Sequence, residues 1–355
     1  MSSLSKEKWK GPNISVPKQI EVQSKFDNVF WYNINNLIID FGNVKCHSLS
    51  EYPTLKITDL PKPFNKPDLV IFEGVYFASY LKIALDCRRN KIPYIIIPRC
   101  SLTAAAQKSK ALKKKIGNML FFNYFTKNAI AIQYLTYQEY IDSGDKWNKN
   151  VLIIPNGIEK KNRIKKSFNN DKIKGIFVGR LDIYHKGLDL LLKACYLVKD
   201  QLEINNCEID IYGPSIKNSK EKLYNELKSL GLEKIINLKE PILGQEKEKK
   251  LLDSDFFILT SRFEGLPMAL LEAISYGLPC LVTTGSNMAD EIKNADAGWV
   301  SETDINGIAK AFKQLLNEKK EFIKKSENAL KLSIKYDWEN IAKLSHEKYL
   351  NLLKK

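Results

Sequence analysis

The sequence is poor in the residues that build metal sites and disulfide frameworks. Its 355 residues include three histidines, His47, His185 and His346, far apart in the chain. The six cysteines, Cys46, Cys87, Cys100, Cys195, Cys207 and Cys280, form no CxxC pair and lie in apolar or mixed segments. Zinc sites and disulfide sets want clustered spacing, so these thiols are expected to be reduced and structural, and no metal is expected. Long apolar runs are missing too. No stretch approaches eighteen uninterrupted apolar residues, so no transmembrane helix is predicted. The opening MSSLSKEKWKGPN lacks the apolar core of a signal peptide. These lacks together predict a soluble, cytoplasmic protein. No zinc-finger spacing or RNP-like motif accompanies the basic composition, which argues against nucleic-acid binding.

What the chain does have is apolar content and uneven charge. With 44% apolar residues and 10% aromatics it can bury a sizeable core, and its length suggests about two domains. The 56 Lys+Arg exceed the 41 Asp+Glu by 15. Residues 1–156 carry 22 basic against 12 acidic residues, and residues 157–355 carry 34 against 29. The shorter half is the more basic one, which suggests different partners for the two halves.

Short β-branched runs alternate with helical patterns. Strands are predicted at Leu69–Phe72, Tyr94–Ile97, Ala129–Ile132 and Val151–Ile154, then at Gly175–Gly179, Glu208–Tyr212, Phe256–Thr260 and Cys280–Thr284. Continuous apolar strands separated by crossover helices indicate buried parallel sheets, hence an α/β chain of two doubly wound domains. The polar stretch opened by Pro155-Asn156-Gly157 is read as the join. The expected organisation is therefore an N-terminal domain over 1–156, a C-terminal domain over 157–335, and a closing helix over 336–355. That helix carries Ile341, Leu344, Tyr349 and Leu352 on one stripe.

Two segments of the second half carry chemistry. In GIFVGRLDIYHKGLDLLLKA a buried strand ends at Gly179, followed by Arg180, Lys186 and an apolar-striped helix. A strand-to-helix turn puts backbone N–H groups and two cations where an anion would sit. Further on comes TSRFEGLPMALLEAISYGLPCLVTT, again between two predicted strands. Gly265 permits close backbone approach, and Pro267 suits a first helical turn. Glu272 is the lone charge in MALLEAIS, so it needs hydrogen-bond partners, unless it points at solvent or pairs with a lysine.

Together these segments resemble the retaining GT-B glycosyltransferases of family 4, the group 1 enzymes of polysaccharide biosynthesis. The resemblance rests on GRL…KG over 179–187 and the E-x7-E pair Glu264 and Glu272. IPNGI at 154–158, IYGPS at 211–215 and SRFEGLP at 261–267 support it, and the ordered set covers roughly 175–335. It implies two Rossmann-like domains facing a cleft, with the C-terminal domain holding a nucleotide sugar, and a final helix crossing back to the N-terminal domain. Arg180 and Lys186 would contact the donor diphosphate, and Glu272 the ribose hydroxyls. Glu264 and the backbone at Gly265 and Leu266 would approach the sugar, with Gly179, Gly213, Ile242 and Pro267 completing the donor site. The nucleotide sugar is a substrate, and no cofactor is implied. The Asp253-Ser254-Asp255 triplet spells the metal-chelating DxD of another glycosyltransferase fold, but here it opens a strand.

The first half departs from the family pattern. In place of a glycine-rich loop after the first strand the chain offers only Asp40-Phe41-Gly42-Asn43. Arg99 and Cys100 stand where His-Gly is frequent, which makes Arg99 the acceptor-side candidate. The cluster Lys108, Lys110, Lys113, Lys114 and Lys115, followed by MLFFNYF, suits either a helix resting on an anionic membrane or a core-packed helix with a solvated lysine face. The expected activity is transfer of a hexose or N-acetylhexosamine from a UDP-linked donor to a lipid-linked or growing surface-polysaccharide acceptor. A sugar-nucleotide epimerase on the same fold and a non-catalytic sugar-nucleotide-binding subunit are the alternatives. An intact GR…K and E-x7-E set argues against the latter.

Overall fold

The computed structural model describes residues 1–5, 11–168 and 171–354. Asn169 and Asn170 of the predicted join, Lys6–Lys10 of the polar opening, and Lys355 at the end of the predicted final helix lie outside the described residues. The chain divides into two units, Met1–Gly157 with Trp338–Lys355, and Ile158–Asp337. The final helix, Trp338–Leu353, thus belongs with the first domain.

The first domain holds β1 (Trp31–Asn33) and β2 (Cys46–Ser48), then β3 (Val70–Glu73), β4 (Tyr94–Ile97), β5 (Ala131–Tyr134) and β6 (Val151–Ile153). All pairings are parallel: β1 with β2, and β3-β4-β5-β6 in that order. Residues 1 and 2 stitch the two sheets together. The Ser2 amide donates to the Tyr32 carbonyl, the Ile34 amide to Ser2, and the Glu73 amide to Met1. The strand alternation explains the two cores. Phe72, Tyr94, Ile96 and Ile132 face one apolar cluster with Tyr80 and Phe125. Ile95 and Ala131 face the other, where Trp338, Ile341 and Tyr349 of the final helix cover the sheet. Tyr349 also donates a 2.6 Å hydrogen bond to Gln133 of β5.

The second domain contains β7 (Ile173–Val178), β8 (Cys207–Tyr212), β9 (Ile236–Lys239), β10 (Phe256–Leu259), β11 (Cys280–Thr283) and β12 (Gly298–Ser301). They form one parallel sheet in the order β12-β11-β10-β7-β8-β9. This is a doubly wound order, and its direction reverses between β7 and β10. Gly175 is required inside β7, since a Cβ there would meet the Phe256 ring at 2.7 Å. The polar stretch read as a join is laid against this domain. Lys165 pairs with buried Asp255 at 3.0 Å, and Phe168 packs on Phe322. Apolar and charged anchors among its lysines hold it there.

Candidate active site

Ligands of doubly wound sheets bind beyond the carboxyl ends of the strands, where the strand order reverses. In the second domain that point lies past Val178 and Leu259, and the two chemical motifs emerge there side by side. Their backbones are in direct contact. The Thr260 hydroxyl donates to the carbonyls of Lys186 and Gly187, at 3.1 Å each. Gly187 has φ +61°, and a Cβ on it would lie 2.0 Å from the Thr260 carbonyl oxygen. Gly213 is equally constrained, with a Cβ position 1.7 Å from the Gly179 carbonyl oxygen. Only glycine lets the loops after β7, β8 and β10 converge this closely.

This convergence joins Lys186 to Glu264. The ammonium donates to Glu264 Oε1, which also accepts from the Ser261 hydroxyl at 2.6 Å. Both side chains are largely shielded, at 14% and 9% exposure. His185 Nε2 lies 3.9 Å from the other carboxylate oxygen, and its ring stacks on Phe263 with centroids 4.4 Å apart. Burial holds the His185 pKa below the ordinary imidazole value, opposed by the Glu264 charge. Arg180, just after Gly179, is exposed.

Glu272 sits on the helix Met268–Ser275, whose first turn follows Gly265-Leu266-Pro267. Its carboxylate is paired with Lys247, on the helix Gly244–Leu252 just after buried Ile242. The lysine pairing weighed for Glu272 is therefore present. Each carboxylate of the E-x7-E pair is capped by one lysine, from a different part of the sheet. Lys247 escapes sequence reading because its partner lies in another βα unit, and GQEKEKK marks no lysine above its neighbours. Arg262 and Asp189, which tie the two loops, escape it for the same reason.

The DxD triplet lies away from the converging loops. Asp255 precedes β10, at the opposite edge of the sheet from the converging loops. It is taken up by Lys165 and by the Lys174 amide at 2.9 Å. Of the thiols, Cys46, Cys87, Cys195, Cys207 and Cys280 are buried, and burial pushes those of Cys87 and Cys207 up to about 12.

In the first domain the structure bears on two of the candidates. Arg99 is not an available cation. Its guanidinium donates to Glu73 at 2.7 Å, Ser15 at 3.1 Å, Gln19 at 3.0 Å and Asn156 at 3.4 Å, which commits most of its five N–H groups. It ties the ends of β3 and β4 to the helix Gly11–Gln23. The Arg99 and Cys100 backbones have φ +49° and +65°, and the Cys100 amide is held by buried Glu139. The second is the helical run Ala111–Gly117, which passes through a π-helical turn, Asn118–Phe122, into Asn123–Lys127. Up to Phe121 it is not core-packed, whereas Phe125 enters the core. Leu112, Ile116, Met119, Leu120 and Phe121 are exposed, Leu112 and Met119 by 73% and 72%. Lys108, Lys110, Lys113 and Lys115 are exposed among them. Lys114 instead turns inward, donating to the Ala106 carbonyl at 2.5 Å and lying over the Tyr76 ring. Burial lowers its pKa, with Lys110 adding to the effect. Asp40–Asn43 lies between β1 and β2. The connection from residues 1–5 to the helix Gly11–Gln23 runs through residues outside the described set.

A GT-B-type architecture of two parallel-sheet α/β domains is what this fold defines. Residues 158–332 match the model of the family described as Glycosyl transferases group 1. That is nearly the whole second domain. Among characterised relatives, the chain is 28% identical over 183 residues to UDP-Gal:alpha-D-GlcNAc-diphosphoundecaprenol alpha-1,3-galactosyltransferase of Escherichia coli. That match covers 48% of this chain and 46% of the relative, so the chain spans about half of that enzyme's length. A putative colanic acid biosynthesis glycosyltransferase of Escherichia coli K12 is 29% identical over 140 residues, 37% of this chain and 34% of its own. Sucrose-phosphate synthase from Thermosynechococcus elongatus superposes with a TM-score of 0.75 over 97% of this chain and 94% of its own, at 15% identity, a likeness of fold. Among the described residues, no helix is long and apolar enough to cross a membrane.

Proposed function

We propose that the protein is a retaining glycosyltransferase that moves a hexose or N-acetylhexosamine from a UDP-linked donor to a lipid-linked acceptor in surface-polysaccharide synthesis. The observation that carries this reading is the Lys186–Glu264 pair, which unites motifs 78 residues apart where the sheet order reverses. The family match of the second domain and the likeness to the Escherichia coli galactosyltransferase, which uses a UDP-galactose donor and a diphosphoundecaprenol-linked acceptor, support the substrate class.

The chemistry follows from charge. Breaking the bond between the anomeric carbon and the phosphate oxygen leaves a nucleoside diphosphate with added negative charge. Arg180 and Lys186 stabilise that charge more in the transition state than in the ground state, aided by the helix start after Pro267. As the diphosphate arrives it competes with Glu264 for Lys186, and the released carboxylate can turn to the sugar hydroxyls. Glu272 takes the ribose hydroxyls in exchange for Lys247. The acceptor attacks on the face the diphosphate leaves, so Glu264 is given no nucleophilic role. No metal is assigned, since side chains and the helix terminus carry the charge.

The first domain would rest on anionic lipid through the exposed apolar residues of 112–121 and the lysines around them. An apolar face rimmed by cations is the pattern of an interfacial helix.

The test is a panel of nucleotide sugars screened by thermal shift, followed by transfer to a diphospholipid-linked sugar with and without EDTA. Transfer from a UDP-sugar, unchanged by EDTA, is expected. Product formed without acceptor would favour the epimerase, and donor binding without turnover the non-catalytic subunit. Loss on chelation with rescue by magnesium or manganese would overturn the metal-free assignment.

A further inference from the structure

Lys186 and Glu264 belong to two loops, and what fixes one loop against the other is a side chain of neither motif pair. Arg262, three residues beyond β10, donates two parallel hydrogen bonds to Asp189, each of 2.7 Å. The same guanidinium donates to the Tyr184 carbonyl at 2.8 Å and lies 4.5 Å over the Tyr184 ring. The Arg262 amide donates to the His185 carbonyl at 2.9 Å. On either side, Ser261 bonds Glu264 and Phe263 stacks on His185. Residues 262–264 are thus each fitted onto residues 184–189, with Lys186 in the middle of that stretch and Ser261 bracing Glu264.

An isolated exposed ion pair contributes little. This one differs in being bidentate, in carrying a third hydrogen bond and a ring contact, and in being mostly shielded, at 20% and 24% exposure. Asp189 lies in the first turn of the helix Leu188–Leu197, so the guanidinium grips a rigid element rather than a loop tip. We infer that Arg262 is a positioning residue for sugar transfer: its grip on Asp189 and Tyr184 sets the placement of Lys186 relative to Glu264 without touching substrate. The inference rests on the proposed transferase reading. Its physical basis is that misplacing a reacting group by about 1 Å can cost on the order of 10²-fold in rate.

The experiment compares Arg262→Gln, Arg262→Lys and Arg262→Ala with the parent in donor turnover and in calorimetric binding of UDP. Gln and Lys should both lower kcat by about 10- to 100-fold, because an ammonium cannot reproduce the planar two-bond fork. UDP affinity should stay within about threefold, since the ribose carboxylate lies on another helix. Methylguanidinium should restore turnover of the Ala variant where methylammonium does not. Asp189→Asn combined with Arg262→Gln should be no worse than either alone, the mark of two groups acting as one. Turnover of Arg262→Gln within threefold of the parent, or parallel loss of UDP affinity, would overturn the inference. Amide exchange over 182–187 gives a readout independent of turnover. It should quicken in Arg262→Gln while the strands stay protected, and unchanged exchange would overturn the clamp even if the parent transfers no sugar. A parent inactive with every UDP-sugar, but showing that change in exchange, would count against the transferase reading alone.

Discussion

Both domains place a basic residue at the carboxyl end of a parallel strand, yet they use it in opposite ways. In the second domain Lys186 is paired with one carboxylate that has further partners, Ser261 and His185, and the proposed mechanism exchanges that pair for a ligand. In the first domain Arg99 is spread over Glu73, Ser15, Gln19 and Asn156, and its loss would leave Glu73 buried without its charge partner. The contrast teaches that position at a strand end does not make a cation catalytic. What matters is whether its partners can let go.

The sharpest way to break this comparison is to remove both cations and ask what each change damages. Lys186→Ala should lower kcat by about 10²–10³, the scale of losing one strong transition-state donor, with little loss of stability. Arg99→Ala should destabilise the chain by about 3–5 kcal/mol, the cost of a buried charge left unpaired. The folded fraction of that variant should turn over within threefold of the parent. Denaturant titration beside steady-state kinetics reads both. A stable Arg99→Ala chain with the kinetic defect would return Arg99 to the active site.

The same contrast shows how much of the molecule the sequence carries. The run YIII was read as Tyr94–Ile97 and occupies that span, because four buried apolar residues need no context to be recognised. The next strand was read two residues early. Its last positions, Gln133 and Tyr134, look unlike a buried strand until Tyr349 is seen satisfying Gln133. The strands at 31–33, 46–48, 236–239 and 298–301 were missed, being short and interrupted by polar residues. In β1, for instance, Asn33 is buried only because it accepts from Ser2 and Leu4. The residues proposed for the donor site are legible because each motif is contiguous. Lys247, Arg262 and Asp189 are not, because their roles depend on partners in other βα units.

A second contrast concerns the surfaces. Exposed lysines in the first domain stand among exposed apolar residues, and this arrangement predicts binding to anionic vesicles. Replacing Lys110, Lys113 and Lys115 with Gln should weaken that binding by roughly 100-fold, at about 1 kcal/mol per lysine near the surface. Lys114→Gln should change it least, because that ammonium is turned onto the Ala106 carbonyl. Co-sedimentation at low and high salt separates the charge from the apolar contribution, since screening acts over about 8 Å at physiological ionic strength. Equal binding of the parent and the triple variant would leave these lysines as a solvated face.

The smallest expected effect divides the second domain's own two carboxylates. Glu272 and Glu264 each carry one lysine, so as ion pairs they look alike. Their surroundings differ. Glu272 is paired with Lys247 of the helix that follows Ile242, while Glu264 is paired with Lys186, the cation assigned to the diphosphate. Glu272→Gln should weaken UDP and the UDP-sugar alike by about 10-fold or somewhat more, the worth of a hydrogen bond to a charged group. Glu264→Gln frees Lys186 from its carboxylate, so UDP should bind as well as to the parent or slightly better, while turnover falls. Calorimetry with UDP, set beside single-turnover rates with the UDP-sugar, distinguishes the two. Equal losses of UDP affinity in both variants would mean that the carboxylates share one role, and the assignment of ribose to one and sugar to the other would fall.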